Sequence, residues 1–239
     1  MSKNNFYALI HSPLVGPLTW ELVGEEMQQR GIEAIVPTLE DSPDSKEPFW
    51  KQHADCVLQA LKHIPEDRPV TLVAHSGAGP LLPVIRGSIP NPVLAYVFVD
   101  AGLPRDGATR LDLMQSEESD WARHFQEYLE GGGVFPNWSS DDLREIIPDE
   151  ALREHMLAEI QPRGLDFFTE PIPMFKGWPD APCVYILFSE PYQSAAVQAR
   201  QAGWPTYELE AGHFHMLVDP KAVTDLIVNS VNDLSSKTQ

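Results

Sequence analysis

The chain of 239 residues carries 17 basic and 35 acidic side chains, a net charge of −18, with 43% hydrophobic and 22% charged residues. That length allows one domain, or one core with a sizeable insertion, and the charge argues against nucleic acid and anionic membranes, which would repel it. No run approaches the roughly 18 apolar residues of a membrane span, and the two cysteines, Cys56 and Cys183, suggest free thiols in a reducing compartment rather than a disulfide framework.

The start, Met1 to Asn5, leads directly into a strand-like segment rather than a signal-peptide core, so a cytoplasmic protein is expected. On that reading the glycosylation-type triplet Asn137-Trp138-Ser139 is a chance match. Phe6 to Ile10 reads as a short buried strand and Leu18 to Arg30 as a helix closed by Gly31. Ile32 to Val36 is a second strand halted by Pro37, and a helix from Pro48 to His63 buries Phe49, Val57, Leu58, Leu61 and Ile64.

Next comes the most informative stretch. The apolar run Val70 to Ala74 is followed by His75-Ser76-Gly77-Ala78-Gly79 and then by a helical pattern through Leu81, Leu82, Val84 and Ile85. Strand, small-x-Ser-x-small, helix is a nucleophile elbow, which lifts one serine hydroxyl above a sheet. Ala74 and Ala78 meet the requirement for small residues two positions either side of Ser76. The Gly77 N–H, at the start of the following helix, is placed to hold a developing oxyanion.

Val93 to Val99 is the strongest strand, apolar throughout as parallel strands covered on both faces are. The next eighty or so residues are aromatic-rich and broken by Gly131-Gly132-Gly133 and prolines, with helices expected at Glu117 to Glu130, Asp141 to Ile147 and Glu150 to Ile160. A structureless loop of that size is improbable, so 103–180 should be a helical cap over a core made of 1–102 and 181–239. Most of its aromatics should form the cap's own core. Strands at Val184 to Phe188 and Thr206 to Leu209 and a helix from Pro220 to Leu234 complete an α/β fold with a mainly parallel sheet flanked by helices.

Ala211-Gly212-His213-Phe214-His215-Met216 lies between the last strand and the last helix. A histidine there can reach back to an elbow serine as general base, in the order serine, acid, histidine. His213 is preferred, with His215 in reserve, expected to face the other way in an extended segment. The remaining histidines show no metal-ligand spacing, so no metal site is expected.

These motifs, with Leu9-Ile10-His11-Ser12-Pro13-Leu14-Val15-Gly16, resemble the α/β-hydrolase superfamily, most closely its plant methylesterase and hydroxynitrile lyase branch. His11, Ser12, Gly16 and Trp20 fall on that branch's positions after the first strand, and Ala74 to Gly79, Val99 to Pro104 and Gly212-His213 extend the match. The resemblance implies Ser76 as nucleophile, His213 as base and an oxyanion hole from Gly77 N–H plus a backbone N–H near residue 13, beside His11. Two departures stand out. Pro13 has no N–H, so Leu14 N–H or the Ser12 hydroxyl must substitute, or the hole is incomplete. The segment Ser189-Glu190-Pro191-Tyr192-Gln193 lacks the aspartate the branch carries there, which leaves Asp100, preferred, or Glu190 to orient His213, or a Ser–His pair with no acid.

The expected function is hydrolysis, without a cofactor, of an ester, lactone or thioester of a small apolar compound. Two alternatives stay open. One is a cofactor-free lyase, favoured by Ser12 where those lyases carry threonine and opposed by Phe214 where they carry lysine. The other is a non-catalytic small-molecule receptor on the same scaffold. Monomer and homodimer are both compatible with the sequence.

Overall fold

Alternate residues of the central strands carry two apolar sets, and this dictates a sheet covered on both sides. The computed structural model describes residues 5–42, 44–115 and 119–236. Strands β1 (Phe6–Ile10), β2 (Ala34–Ile35), β3 (Val70–Ser76), β4 (Val93–Ala101), β5 (Cys183–Leu187) and β6 (Thr206–Glu208) form a six-stranded sheet in the order β2-β1-β3-β4-β5-β6, with every neighbouring pair parallel. One face presents Ala8, Leu72, Phe98 and Tyr185; it is covered by α2 (Phe49–Leu61), α3 (Leu82–Ser88) and α8 (Gln193–Gln201). The other presents Leu9, Val73, Val97 and Ile186 to α1 (Leu18–Gln29) and α10 (Pro220–Ser236). The strands are buried on both faces, which is why they read as continuous apolar runs.

The chain steps outward from β1 to β2 and then returns to place β3 on the other side of β1. At such a switch point the loops leave in opposite directions and open a crevice at the carboxyl ends of the strands. Ser76 ends β3 at that crevice. Close packing holds the turn after it: a side-chain carbon on Gly79 would lie 2.0 Å from the Gly102 carbonyl oxygen.

The segment between β4 and β5 contains α4 (Arg110–Gln115), α5 (Ser119–Glu130), α6 (Glu150–Ala158) and α7 (Leu165–Thr169). Glu117, where the sequence starts its first helix, lies outside the described residues. The helix expected over Asp141 to Ile147 is instead a run of turns, in which the Leu143 carbonyl accepts from Ile146 N–H at 3.1 Å and Ile147 N–H at 2.8 Å. Pro148 explains this, since the residue before a proline is pushed out of helical geometry and only a turn or two fits. Helices α4, α7 and α8 escape the sequence pattern. α8 is a polar helix whose buried stripe is Ala195, Ala196 and Ala199, too small to stand out. Four-residue α9 (His215–Val218) replaces the extended segment expected at His215. No described helix is long and apolar enough to cross a membrane.

Gly79→Ala should therefore force the elbow and the Gly102 strand end apart. The expected cost is about 2–3 kcal/mol, within the range for overpacking, or a melting temperature lower by about 5–10 °C for a chain of this size. Thermal unfolding by circular dichroism measures it.

Candidate active site

Two non-glycine residues among those described have positive φ: Ser76 at 56° and Asp100 at 45°. Such backbone costs about 1–3 kcal/mol per residue and persists only where the surroundings enforce it. At Ser76 the enforcing contacts are the turn bond from Ala78 N–H to the His75 carbonyl at 3.0 Å and the bond from Gly102 N–H to the Ser76 carbonyl at 3.2 Å.

At Asp100 the device is a bulge. His75 pairs with Val99 but Ser76 pairs with Ala101, so Asp100 is the extra residue on β4. A bulge re-aims its side chain, and here the fully buried Asp100 carboxylate turns across the strand ends. Oδ1 accepts from Phe188 N–H and Ser189 N–H, both at 2.9 Å, and Oδ2 from Ser189 Oγ at 2.5 Å. Oδ2 also lies 2.7 Å from His213 Nδ1. The Tyr185 hydroxyl pins the bulge from below, donating to the Ala101 carbonyl at 2.8 Å and accepting from Ala101 N–H at 3.2 Å.

The His213 backbone is held in turn by His75, whose Nε2–H donates to the His213 carbonyl at 3.0 Å. The two rings stand 4.4 Å apart. Glu190, the other acid considered, is exposed at the start of the short 3-10 turn Glu190–Tyr192, and the His213 ring nitrogen it was to meet is bonded to Asp100. His215, the reserve base, packs its ring on Phe188, 5.9 Å away.

That turn delivers a residue the sequence reading passed over. The Tyr192 hydroxyl is 2.9 Å from Ser76 Oγ, and its ring stacks on His213 with centroids 5.0 Å apart and planes 6° from parallel. The one available signal was its position in the loop after β5, where functional side chains of this architecture gather. Among the described residues no hydrogen bond joins Ser76 to His213; in this state the serine hydroxyl is engaged by Tyr192.

Opposite His213 lies the loop after β1. Ser12 is buried, and a side-chain carbon on Gly77 would lie 2.9 Å from its Oγ, so the Ser12 hydroxyl stands directly over the Gly77 backbone. Leu14 N–H donates to that same Oγ at 3.3 Å. The Leu14 N–H is thus occupied, while the Ser12 hydroxyl keeps its own proton to donate.

Ser12, Ser76, Tyr192 and His213 share one cavity of about 840 Å³, a size suited to a small organic molecule. Its far walls come from the 103–180 segment, including Met114, Trp121, Phe135, Trp138 and Phe168. Phe125, Phe167 and Phe168 form that segment's own core, and of these Phe167 and Phe168 also line the cavity. Trp178 does neither and packs on Tyr96 and Phe98 of the sheet. Among the described residues no group of three or more His, Cys, Asp or Glu side chains could hold a metal.

A profile of the alpha/beta hydrolase family matches residues 9–226. The chain belongs to the alpha/beta hydrolase family. It is 24% identical over 262 residues to Methylesterase 17 of Arabidopsis thaliana, covering 98% of this chain and 94% of that protein. An extracellular α/β-hydrolase from a Paenibacillus species, described as sharing structural and functional homology with tobacco Salicylic Acid Binding Protein 2, superposes with a TM-score of 0.75 at 18% identity, over 94% of this chain and 98% of the other. Tomato Methylketone Synthase I complexed with 2-tridecanone gives a TM-score of 0.73 at 15% identity, over 98% and 99% of the two chains.

His11 has a different place in this hydrolase from the one expected beside the oxyanion, and it is not among the residues lining the cavity. Its Nε2 accepts from Leu39 N–H at 3.1 Å, so the proton is on Nδ1, which donates to the Ser12 carbonyl at 2.8 Å. The ring ties two loops together and shapes the Ser12 turn. Burial pushes its pKa down from 6.5 to about 4. Burial also lowers His75, well below the usual range, and His53. A histidine whose folded pKa is depressed binds a proton more readily when unfolded. The fold therefore keeps its full stability above about pH 6.5 and loses it as pH falls toward 4, with His11 contributing up to about 3 kcal/mol. Urea unfolding followed from pH 7 to 4 should show this decline. His11→Gln should lower stability at neutral pH and flatten the slope.

Proposed function

We propose that this alpha/beta hydrolase cleaves a carboxylic ester, lactone or thioester of a small, largely apolar compound, with Ser76 as nucleophile, His213 as general base and Asp100 as the acid that orients it. The observation that carries this reading is the 2.7 Å bond from His213 Nδ1 to a buried Asp100 carboxylate, beside a serine held in a strained turn at the same cavity. The bond fixes the proton on Nδ1 and leaves Nε2 as the basic nitrogen. Substrate entry releases Ser76 from Tyr192, and the Ser76–His213 contact then forms; catalytic hydrogen bonds commonly tighten only in the bound complex.

Ser76 Oγ attacks the carbonyl carbon as His213 Nε2 takes its proton. The carbonyl oxygen becomes an oxyanion held by Gly77 N–H and the Ser12 hydroxyl. Ser12 is the better second donor because accepting from Leu14 N–H polarises its own O–H. The 103–180 segment acts as the cap, and its aromatic wall favours apolar acyl or ring groups and excludes water. The Arabidopsis methylesterase lends the ester bond its support, at 24% identity across nearly the whole chain.

A second reading, cofactor-free lyase chemistry, is favoured by the Ser12 hydroxyl at the cavity. It predicts cleavage of cyanohydrins in the absence of any ester turnover.

A serine-directed fluorophosphonate should label Ser76 stoichiometrically, and Ser76→Ala should abolish labelling; mass spectrometry of the labelled peptide decides it. Asp100→Asn should lower turnover by up to roughly 10⁴-fold through the wrong histidine tautomer, while Glu190→Gln stays close to wild type. The opposite ranking would move the orienting role to Glu190. Ser12→Ala should cost about 10²-fold in kcat, the usual effect of deleting one oxyanion donor.

A further inference from the structure

We propose that Tyr192 is a catalytic hydrogen-bond donor to the leaving-group oxygen. The inference rests on the ester-hydrolysis reading above and adds a residue to it. Its basis is position. The Tyr192 hydroxyl touches the reacting atom, 2.9 Å from Ser76 Oγ, so it belongs to the reaction centre and not to the cavity wall alone.

Which side of the centre it serves follows from the sheet order. The loop after β1 that carries Ser12 flanks β3 on one side, whereas β4, β5 and β6 lie on the other. Tyr192 follows β5 and lies flat against the His213 ring, so it sits on the base side, across Ser76 from Ser12 and Gly77. An oxyanion drawn toward Gly77 is therefore out of its line. The leaving oxygen, two bonds from Oγ and turned toward the imidazole that must protonate it, is within it.

The reaction then balances as follows. Ser76 loses its proton to His213 Nε2 while forming the bond from Oγ to the acyl carbon. As the tetrahedral intermediate collapses, the bond from that carbon to the leaving oxygen breaks, and His213 returns the proton to this oxygen to release an alcohol. Tyr192 keeps its own proton throughout and donates a hydrogen bond to the oxygen as charge builds on it. In the second half a water enters the vacated position. It loses a proton to His213 and adds to the acyl carbon, and His213 then protonates Ser76 Oγ as the acid leaves. Stacking on His213 helps to hold the phenol in place.

Help at the leaving oxygen matters in proportion to the charge it must bear, so the test is leaving-group dependence in Tyr192→Phe. This variant keeps the ring stacked on His213 and removes the hydroxyl alone. Methyl and p-nitrophenyl esters of the same acid are compared. On the methyl ester kcat should fall by about 10²-fold, with KM changed by less than about threefold. On the p-nitrophenyl ester, whose leaving group needs little help, the loss should stay within about threefold. Fluorophosphonate labelling of Ser76, which expels fluoride, should proceed at close to the wild-type rate, and this also shows that the variant is folded. Equal losses on both esters, no loss on either, or a gain in activity would overturn the role of Tyr192 while leaving the Ser76 mechanism intact. Failure of the wild-type protein to label at Ser76 or to turn over either ester would instead remove the hydrolase reading itself.

Discussion

The site depends on a buried carboxylate that collects four hydrogen-bond partners from two separate loops. Asp100 receives Phe188 N–H, Ser189 N–H and the Ser189 hydroxyl from the loop after β5, and His213 from the loop after β6. Hydrogen bonds to an ionised group are worth about 1.5–3 kcal/mol each, enough together to offset the strained φ at Asp100. The bulge that creates this strain is also what aims the carboxylate across the sheet. Without the extra residue Asp100 would follow the strand's alternation into one of the helix-covered faces, where an unpaired charge is costly. One insertion in the register thus joins β4 to the two loops that carry Tyr192 and His213.

The opposite half of the crevice is held by the segment between β4 and β5. Gln161 N–H donates to the Leu14 carbonyl at 2.9 Å, and the Glu159 carboxylate accepts from Leu18 N–H at 3.0 Å, capping the first turn of α1. Glu170 does the same for α2 through Phe49 N–H at 2.6 Å and Trp50 N–H at 3.1 Å. Anionic side chains at helix starts meet both the unpaired N–H groups and the positive end of the helix dipole. The segment's own aromatic core is too small to stand alone, so these ties to the sheet domain fix its position over Ser76. The loop bearing Ser12 is consequently held from two sides, by His11 within its own turn and by Gln161 from above.

Much of this was legible in the sequence because the decisive signals are local. The elbow at Ser76 is a pattern of small residues around one serine between a strand and a helix, and the parallel sheet is announced by fully apolar strands. The unread parts are those where distant contacts decide. Asp100 could not be separated from Glu190 by spacing, because the bulge that turns it exists only in the pairing of β4 with β3. The α8 helix hides behind alanines, and the turns at 140–146 obey Pro148 over their helical composition. His11 occupies the right place in the chain for a site residue, yet both its nitrogens are taken by loop backbone. Tyr192 was invisible because a tyrosine in a polar loop has no signature until its hydroxyl is seen against Ser76.

The departures from the branch's pattern make sense as a set. Pro13 removes a backbone donor on one side of Ser76, and on that side Ser12 brings a hydroxyl over Gly77. The loop after β5 lacks the branch's aspartate, and His213 Nδ1 is bonded instead to Asp100 on β4, which leaves the space beside the ring to another group. Tyr192 fills it, flat against the imidazole. Placing the carboxylate partner of His213 on β4, one strand inward, is therefore what makes room for a second hydroxyl at Ser76. A carboxylate in that loop would compete with Asp100 for the same Nδ1–H and would bring a second negative charge beside it, whereas a neutral phenol can approach Ser76 without adding charge beside the imidazole. The carboxylate on β4 and the phenol of Tyr192 therefore belong to one arrangement around His213, and a substitution at either position alters the space available to the other.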